Sequence, residues 1–293
     1  KRLIFDLRNN TGGYFDQALL LSNHFLNKGD AIVYMEGRER PKQDYDADGR
    51  GDMKDIELSV LIDEGTASSS EIFAGAIQDN DRGVIVGRRS FGKGLVQEPI
   101  NFTDGSGVRL TVARFYTPSG RCIQKPYGKD YAMDIYERYA HGEMMSADSM
   151  KVDTTEVYYT VKGRRVYGGG GIIPDVFVPI DTTKATDFYI QANRKATPVR
   201  FASYMFDRYK GQLSQIDDFE KLSAWLDSRD IEGQFLKYAS DVDGIKASDK
   251  EWKETRDYML PQLKALTGRF SKLDDEAFYR FYMPIDDVIQ AAL

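Results

Sequence analysis

The chain has 293 residues, 41% hydrophobic and 12% aromatic, enough to bury a sizeable core in one large domain or two smaller ones. A formal net charge of −6 argues against nucleic acid as a partner, because phosphate binding needs a basic surface. Cys122 is the only cysteine, which excludes an intramolecular disulfide and a cysteine-rich zinc site, and no apolar run is long enough to span a membrane.

Leu3 to Leu7 reads as a short strand, and it runs into Arg8-Asn9-Asn10-Thr11-Gly12-Gly13. A helical pattern follows through Phe15, Ala18, Leu19, Ser22, Phe25 and Leu26, with Gly29 at its end. A Gly-Gly turn between strand and helix can present backbone N–H groups to an oxyanion, although two glycines alone also fit a plain tight turn. A strand already opens at residue 3, so the chain is read as starting inside a domain. Ala31 to Met35 is a second strand. The acidic stretch Asp44 to Asp55 matches positions one, three, five, six and nine of a calcium loop. Its last position is aspartate instead of glutamate and no helices flank it, so a solvated loop is preferred and no metal is assigned.

Val60-Leu61-Ile62 is an apolar run of a buried strand, and Asp63 to Thr66 is a polar turn. Ser68 stands three residues before Glu71, the spacing of a capping box, and Ile72, Phe73, Ala76 and Ile77 continue as a helical face that ends near Asp79-Asn80. A serine where a strand turns into a helix can expose its hydroxyl beside N–H groups the helix has not yet used, a setting that favours developing negative charge. A plain cap is the competing reading. Val84 to Val86 is a strand. Lys93 follows between two glycines, with Gln97 four residues on. If this stretch is extended, residues 93, 95 and 97 share a face. Phe91, Leu95 and Val96 supply apolar surroundings, which favour the neutral amine a lysine base requires.

Val108 to Tyr116 alternates as a strand and Thr117 to Arg121 is a turn. Lys125 to Thr155 reads as a polar, irregular insertion, Val157 to Val166 as a hairpin, and Gly168 to Gly171 as a flexible loop without chemistry. Beyond it the chain is helical. A helix starts at Thr197-Pro198, another is capped by Ser248 and Glu251 and kinked at Pro261, and a terminal pair from Phe278 to Leu293 is broken at Pro284.

Several of these segments together resemble one family. GTASSSEI (65–72), GAIQD (75–79), FGKGLVQ (91–97), DLRNNTGG (6–13), TPSGR (117–121) and GIIPDV (171–176) are similar to motifs of the C-terminal processing, or tail-specific, serine peptidases, which use a Ser–Lys catalytic pair. The resemblance covers about residues 1 to 180. It implies Ser68 as nucleophile, Lys93 as general base and Gln97 as its partner. Thr66 and Ser69 replace the commoner serine and alanine, and Thr11 replaces a proline. The oxyanion hole implied is the N–H of Gly13, or alternatively Gly12, with the N–H of Ser69. The fold implied is α/β, a crotonase-like β-sheet spiral flanked by helices, over residues 1–181, with a helical C-terminal region over 182–293. Family members carry a PDZ domain before or within this region; none is read here, so it is expected upstream. The implied activity is endoproteolysis near unstructured, apolar C-terminal tails in the bacterial periplasm or envelope, on protein or peptide substrates, with no cofactor and the oligomeric state open.

Three other readings compete. A Ser-His-Asp triad has only His24 and His141 to draw on, neither near a candidate nucleophile. Ser90-Phe91-Gly92-Lys93 matches the Ser-x-x-Lys motif of penicillin-binding proteins, which makes Ser90 an alternative nucleophile, but the flanking glycines disfavour the helix that motif needs. A non-catalytic peptide-binding or scaffold protein could keep the fold, yet it would not require Ser68, Lys93 and Gln97.

Overall fold

Apolar runs mark the buried strands of the first part of the chain. In the computed structural model, which describes residues 1–127 and 131–293, the strands are β1 (Arg2–Asp6), β2 (Ala31–Gly37), β3 (Arg40–Asp46), β4 (Glu57–Ile62), β5 (Val84–Gly87), β6 (Leu95–Asn101), β7 (Gly107–Tyr116), β8 (Val157–Tyr159), β9 (Arg165–Tyr167) and β10 (Val176–Phe177). The helices among them are α1 (Phe15–Phe25), α2 (Ser69–Asp79) and α3 (Asp134–Ala140). Contacts group Lys1–Pro179 and Ala291–Leu293 into one compact unit and Ile180–Gln290 into a second.

The first unit is mixed α/β. Its parallel sheet has the order β1-β4-β5-β10, and its antiparallel sheet the order β3-β2-β7-β6. In the parallel sheet Phe5 pairs with Val60 and Val60 with Ile85. Val60, Leu61 and Ile62 are wholly buried, which is why they read as an unbroken apolar run rather than an alternation. Helix α2 is buried along its entire length, Ser69 to Asp79, and its polar ends must therefore find partners inside the protein. Phe73 packs its ring against Phe5 and Phe25 at 5.1 and 5.7 Å, fixing α2 to β1 and α1.

The antiparallel sheet ends in the long β6–β7 hairpin. Val96 pairs with Ala113 and Gln97 with Thr111, so Val112 is the extra residue of a bulge. The segment Lys125 to Thr155, expected to be irregular, contains α3 and two short 3₁₀ turns; its residues 128–130 lie outside the described residues. The expected hairpin after it is β8–β9.

The second unit is helical: α4 (Asp187–Arg194), α5 (Thr197–Leu213), α6 (Phe219–Asp227), α7 (Ile231–Asp243), α8 (Asp249–Gly268), α9 (Asp275–Tyr282) and most of α10 (Asp287–Ala292). Phe188, Phe201, Leu222, Phe235, Met259 and Leu263 form its core. Helix α8 starts on the Ser248–Glu251 capping box and continues through Pro261, while α5 departs from helical angles at Tyr209. Among the described residues no helix is long and apolar enough to cross a membrane.

Candidate active site

Strand β4 delivers the chain to a tight turn held from inside. The Asp63 carboxylate accepts the N–H of Asn9 at 2.8 Å and of Gly65 at 3.0 Å. The Thr66 hydroxyl donates to the Leu7 carbonyl at 2.7 Å, and Ala67 N–H to the Asn10 carbonyl at 3.0 Å. These bonds clamp the β1–α1 loop to the β4–α2 turn. Ser68 then sits at φ +57°, ψ −120°, a left-handed conformation that costs a non-glycine residue about 1–3 kcal/mol. A common N-cap has an extended backbone instead. The Glu71 N–H goes to the Ser68 carbonyl at 2.9 Å. Ser68 thus forms a strained elbow between strand and helix.

Glu71, read from the sequence only as half of a capping box, has a larger part. It is fully buried. One carboxylate oxygen accepts the N–H of Ser68 and the N–H of Lys93, each at 2.9 Å. The other accepts the N–H of Gly92 at 2.7 Å and the hydroxyl of Ser90. Burial pushes the carboxyl upward from its ordinary value, and the four donors pull it back. A single carboxylate therefore ties the elbow of Ser68 to the loop of Lys93. Gly92 lies at φ +87°, and a Cβ there would meet the backbone of Gly171 at 3.1 Å.

A cavity of 510 Å³ opens between these elements. Ser68, Ser69, Lys93, Gln97 and Gly13 all line it, and Phe15, Met35, Ile72, Leu95 and Phe115 give it apolar walls. Ser68 and Lys93 are half-buried. Gln97 donates weakly to the Thr111 hydroxyl at 3.4 Å, across the hairpin. Phe91, expected to pack around Lys93, instead lies under the Lys125 ammonium at 3.9 Å.

The N–H groups of the Gly-Gly turn are both engaged. Gly13 donates to the Ser69 hydroxyl at 2.6 Å and Gly12 to the Asn10 side chain at 3.0 Å. Gly12 has φ +79°, and a Cβ there would come within 2.5 Å of the Ala67 carbonyl, so only glycine allows the loop to press on the elbow. The alternative nucleophile Ser90 is fully buried and does not line the cavity. Its hydroxyl donates to Glu71 and accepts from the Ile172 N–H at 2.6 Å, which leaves it structural.

Other residues hold the site from behind. Arg121 is completely buried and donates to Gln78 at 2.7 Å and Asp79 at 2.8 Å, closing the end of α2. Gln78 also donates to Asp175 at 2.9 Å. From α3, Arg138 donates to the carbonyls of Arg89 at 2.7 Å and Ser90 at 3.0 Å, and it pairs with the buried Glu143 at 2.8 Å. The sequence carries no periodic signal for that brace.

The acidic stretch Asp44 to Asp55 is partly strand and partly loop. Asp44 and Asp46 belong to β3. Asp44, Asp48 and Asp52 pair with Lys42, Arg50 and His24 at 2.8, 2.7 and 2.8 Å. Among the described residues no three acidic, histidine or cysteine side chains converge as a metal site.

The fold and site are those of a mixed α/β domain with a strained serine elbow over an apolar cleft. Residues 1–134 match the model of peptidase family S41. A chloroplastic C-terminal processing peptidase of Tetradesmus obliquus is 42% identical over 123 residues, 42% of this chain and 26% of the relative. A probable CtpA-like serine protease of Staphylococcus aureus is 38% identical over 136 residues, 46% of this chain and 27% of the relative. Among solved structures, a photosystem II D1 C-terminal processing protease aligns at 30% identity with a TM-score of 0.43, covering 62% of this chain and 35% of that one. The chain thus spans about a quarter of the length of the curated relatives it matches.

Proposed function

We propose that this chain is the catalytic region of a serine endopeptidase that cleaves proteins near unstructured, apolar C-terminal tails. Ser68 is the nucleophile and Lys93 its general base. With its amine neutral, Lys93 takes the Ser68 proton as the hydroxyl oxygen attacks the scissile carbonyl, then passes it to the leaving amine. Gln97 orients the Lys93 amine without adding charge. The N–H groups of Ser69 and Gly13 stabilise the oxyanion, the latter once the Ser69 hydroxyl turns away. Water then hydrolyses the acyl-enzyme.

The observation that carries this reading is the shared cavity of Ser68 and Lys93, with Ser68 held in a strained elbow. Residues 1–181 are read as the catalytic core with a crotonase-like arrangement, and 182–293 as a helical accessory region. A bacterial envelope location follows from the resemblance. A fluorophosphonate probe tests the core of the proposal. It should label the intact protein and fail to label Ser68→Ala, whose folding is checked by circular dichroism. Equal labelling of both would overturn it in favour of a protein that retains the fold without this chemistry.

A further inference from the structure

Among the described residues, Arg109 and Lys93 are the only basic ones lining the cavity, and no acidic one lines it. Arg109 is exposed on β7, directly opposite Pro99 of β6, which also lines the cavity. The neighbouring pair on the same face is Gln97 with Thr111, because side chains along a strand repeat every two residues. Arg109 therefore stands one step, about 7 Å, further out along the hairpin than Gln97. Among the described residues no hydrogen bond or ion pair engages its guanidinium. The nearby Glu98 points to the opposite face, where Arg40 holds it at 2.8 Å. The cleft thus has apolar walls, no carboxylate of its own and a free guanidinium toward its outer end.

We propose that Arg109 is a specificity residue that receives a substrate carboxylate at the end of the cleft where Pro99 faces it. A guanidinium matches a carboxylate with two parallel N–H donors, and the carboxylate can be the chain terminus or an Asp or Glu side chain. The inference rests on the peptidase reading, with Ser68 at the point of cleavage.

Binding to Ser68→Ala tests it without turnover. Three fluorescent apolar hexapeptides are compared by anisotropy: one with a free C-terminus, one amidated, and one amidated with aspartate as its last residue. The free acid, the aspartyl amide or both should bind about three- to fivefold more tightly than the plain amide, less so at high salt. Which of them gains identifies the source of the carboxylate. The gain should vanish in Ser68→Ala/Arg109→Ala and persist in part in Ser68→Ala/Arg109→Lys. Equal binding of all three peptides, or a gain that survives Arg109→Ala, would overturn the role of Arg109 and leave the peptidase reading standing. Failure of every peptide to bind would instead overturn the peptidase reading.

Discussion

The backbone N–H of Gly13 donates to the hydroxyl of Ser69 at 2.6 Å. The residue whose own N–H is proposed as one oxyanion donor therefore closes off the other with its side chain. A substrate carbonyl has to displace that hydroxyl before both donors can serve it. Ser69→Ala removes the obstacle and keeps the backbone N–H. It should raise the rate of fluorophosphonate labelling by up to about tenfold, the scale of one exchanged hydrogen bond. A slower rate would mean that the hydroxyl assists the reaction rather than blocking it.

Lys93 shares the cavity with Ser68, and its backbone is pinned by Glu71. Lys93→Arg keeps a positive charge at the site but cannot give up its proton near neutral pH. Peptide cleavage should fall by about 10²–10⁴-fold, with the fold unchanged by circular dichroism. Substantial turnover by Lys93→Arg would eliminate the general-base role.

Arg121 and Asp79 form an ion pair with both side chains wholly buried. Removing one partner strands the other charge out of water. Asp79→Asn should lower unfolding stability by about 3–5 kcal/mol in urea denaturation. A double replacement, Arg121→Met with Asp79→Leu, should recover much of that loss, since neither residue lines the cleft.

Glu64 lies in the turn before Ser68 and bonds Arg88 at 2.9 Å, with both side chains largely buried. Burial alone would raise its carboxyl, but the Arg88 hydrogen bond and charge hold it below its ordinary value of 4.5. A carboxyl lowered in the folded state adds stability that is fully present above its unfolded value and is lost as pH falls through its folded value. Wild type should therefore lose stability more steeply than Glu64→Gln as pH drops below 4.5. Parallel acid-denaturation curves for the two proteins would refute this.

The core was legible where burial imposes a pattern. The run at Val60 to Ile62, the helix after Ser68 and the strand at Val84 each announce themselves, because a buried segment tolerates few residue types. Strand β6 was less legible. It carries Pro99, lies at a sheet edge and exposes residues 98–101, so neither alternation nor propensity marks it. Helix α3 has seven residues, and what holds it is the long-range bond network of Arg138 with Arg89, Ser90 and Glu143, which no local window contains. Helix α8 runs on through Pro261, with Met259 and Leu263 wholly buried on either side of it. Glu71 shows the same limit at the site. Its spacing from Ser68 is local, but its bonds to Ser90, Gly92 and Lys93 reach some twenty residues along the chain.

The backbone at Ser68 has a consequence for how this protein resists change. At φ +57°, ψ −120°, glycine is the one residue that sits without strain. Ser68→Gly should therefore melt higher than Ser68→Ala, while likewise lacking the hydroxyl. Thermodynamic selection alone would drive position 68 toward an inert residue. If Ser68 is the proposed nucleophile, the chain gives up folding free energy there for reactivity, and a search for heat-resistant variants would return inactive ones.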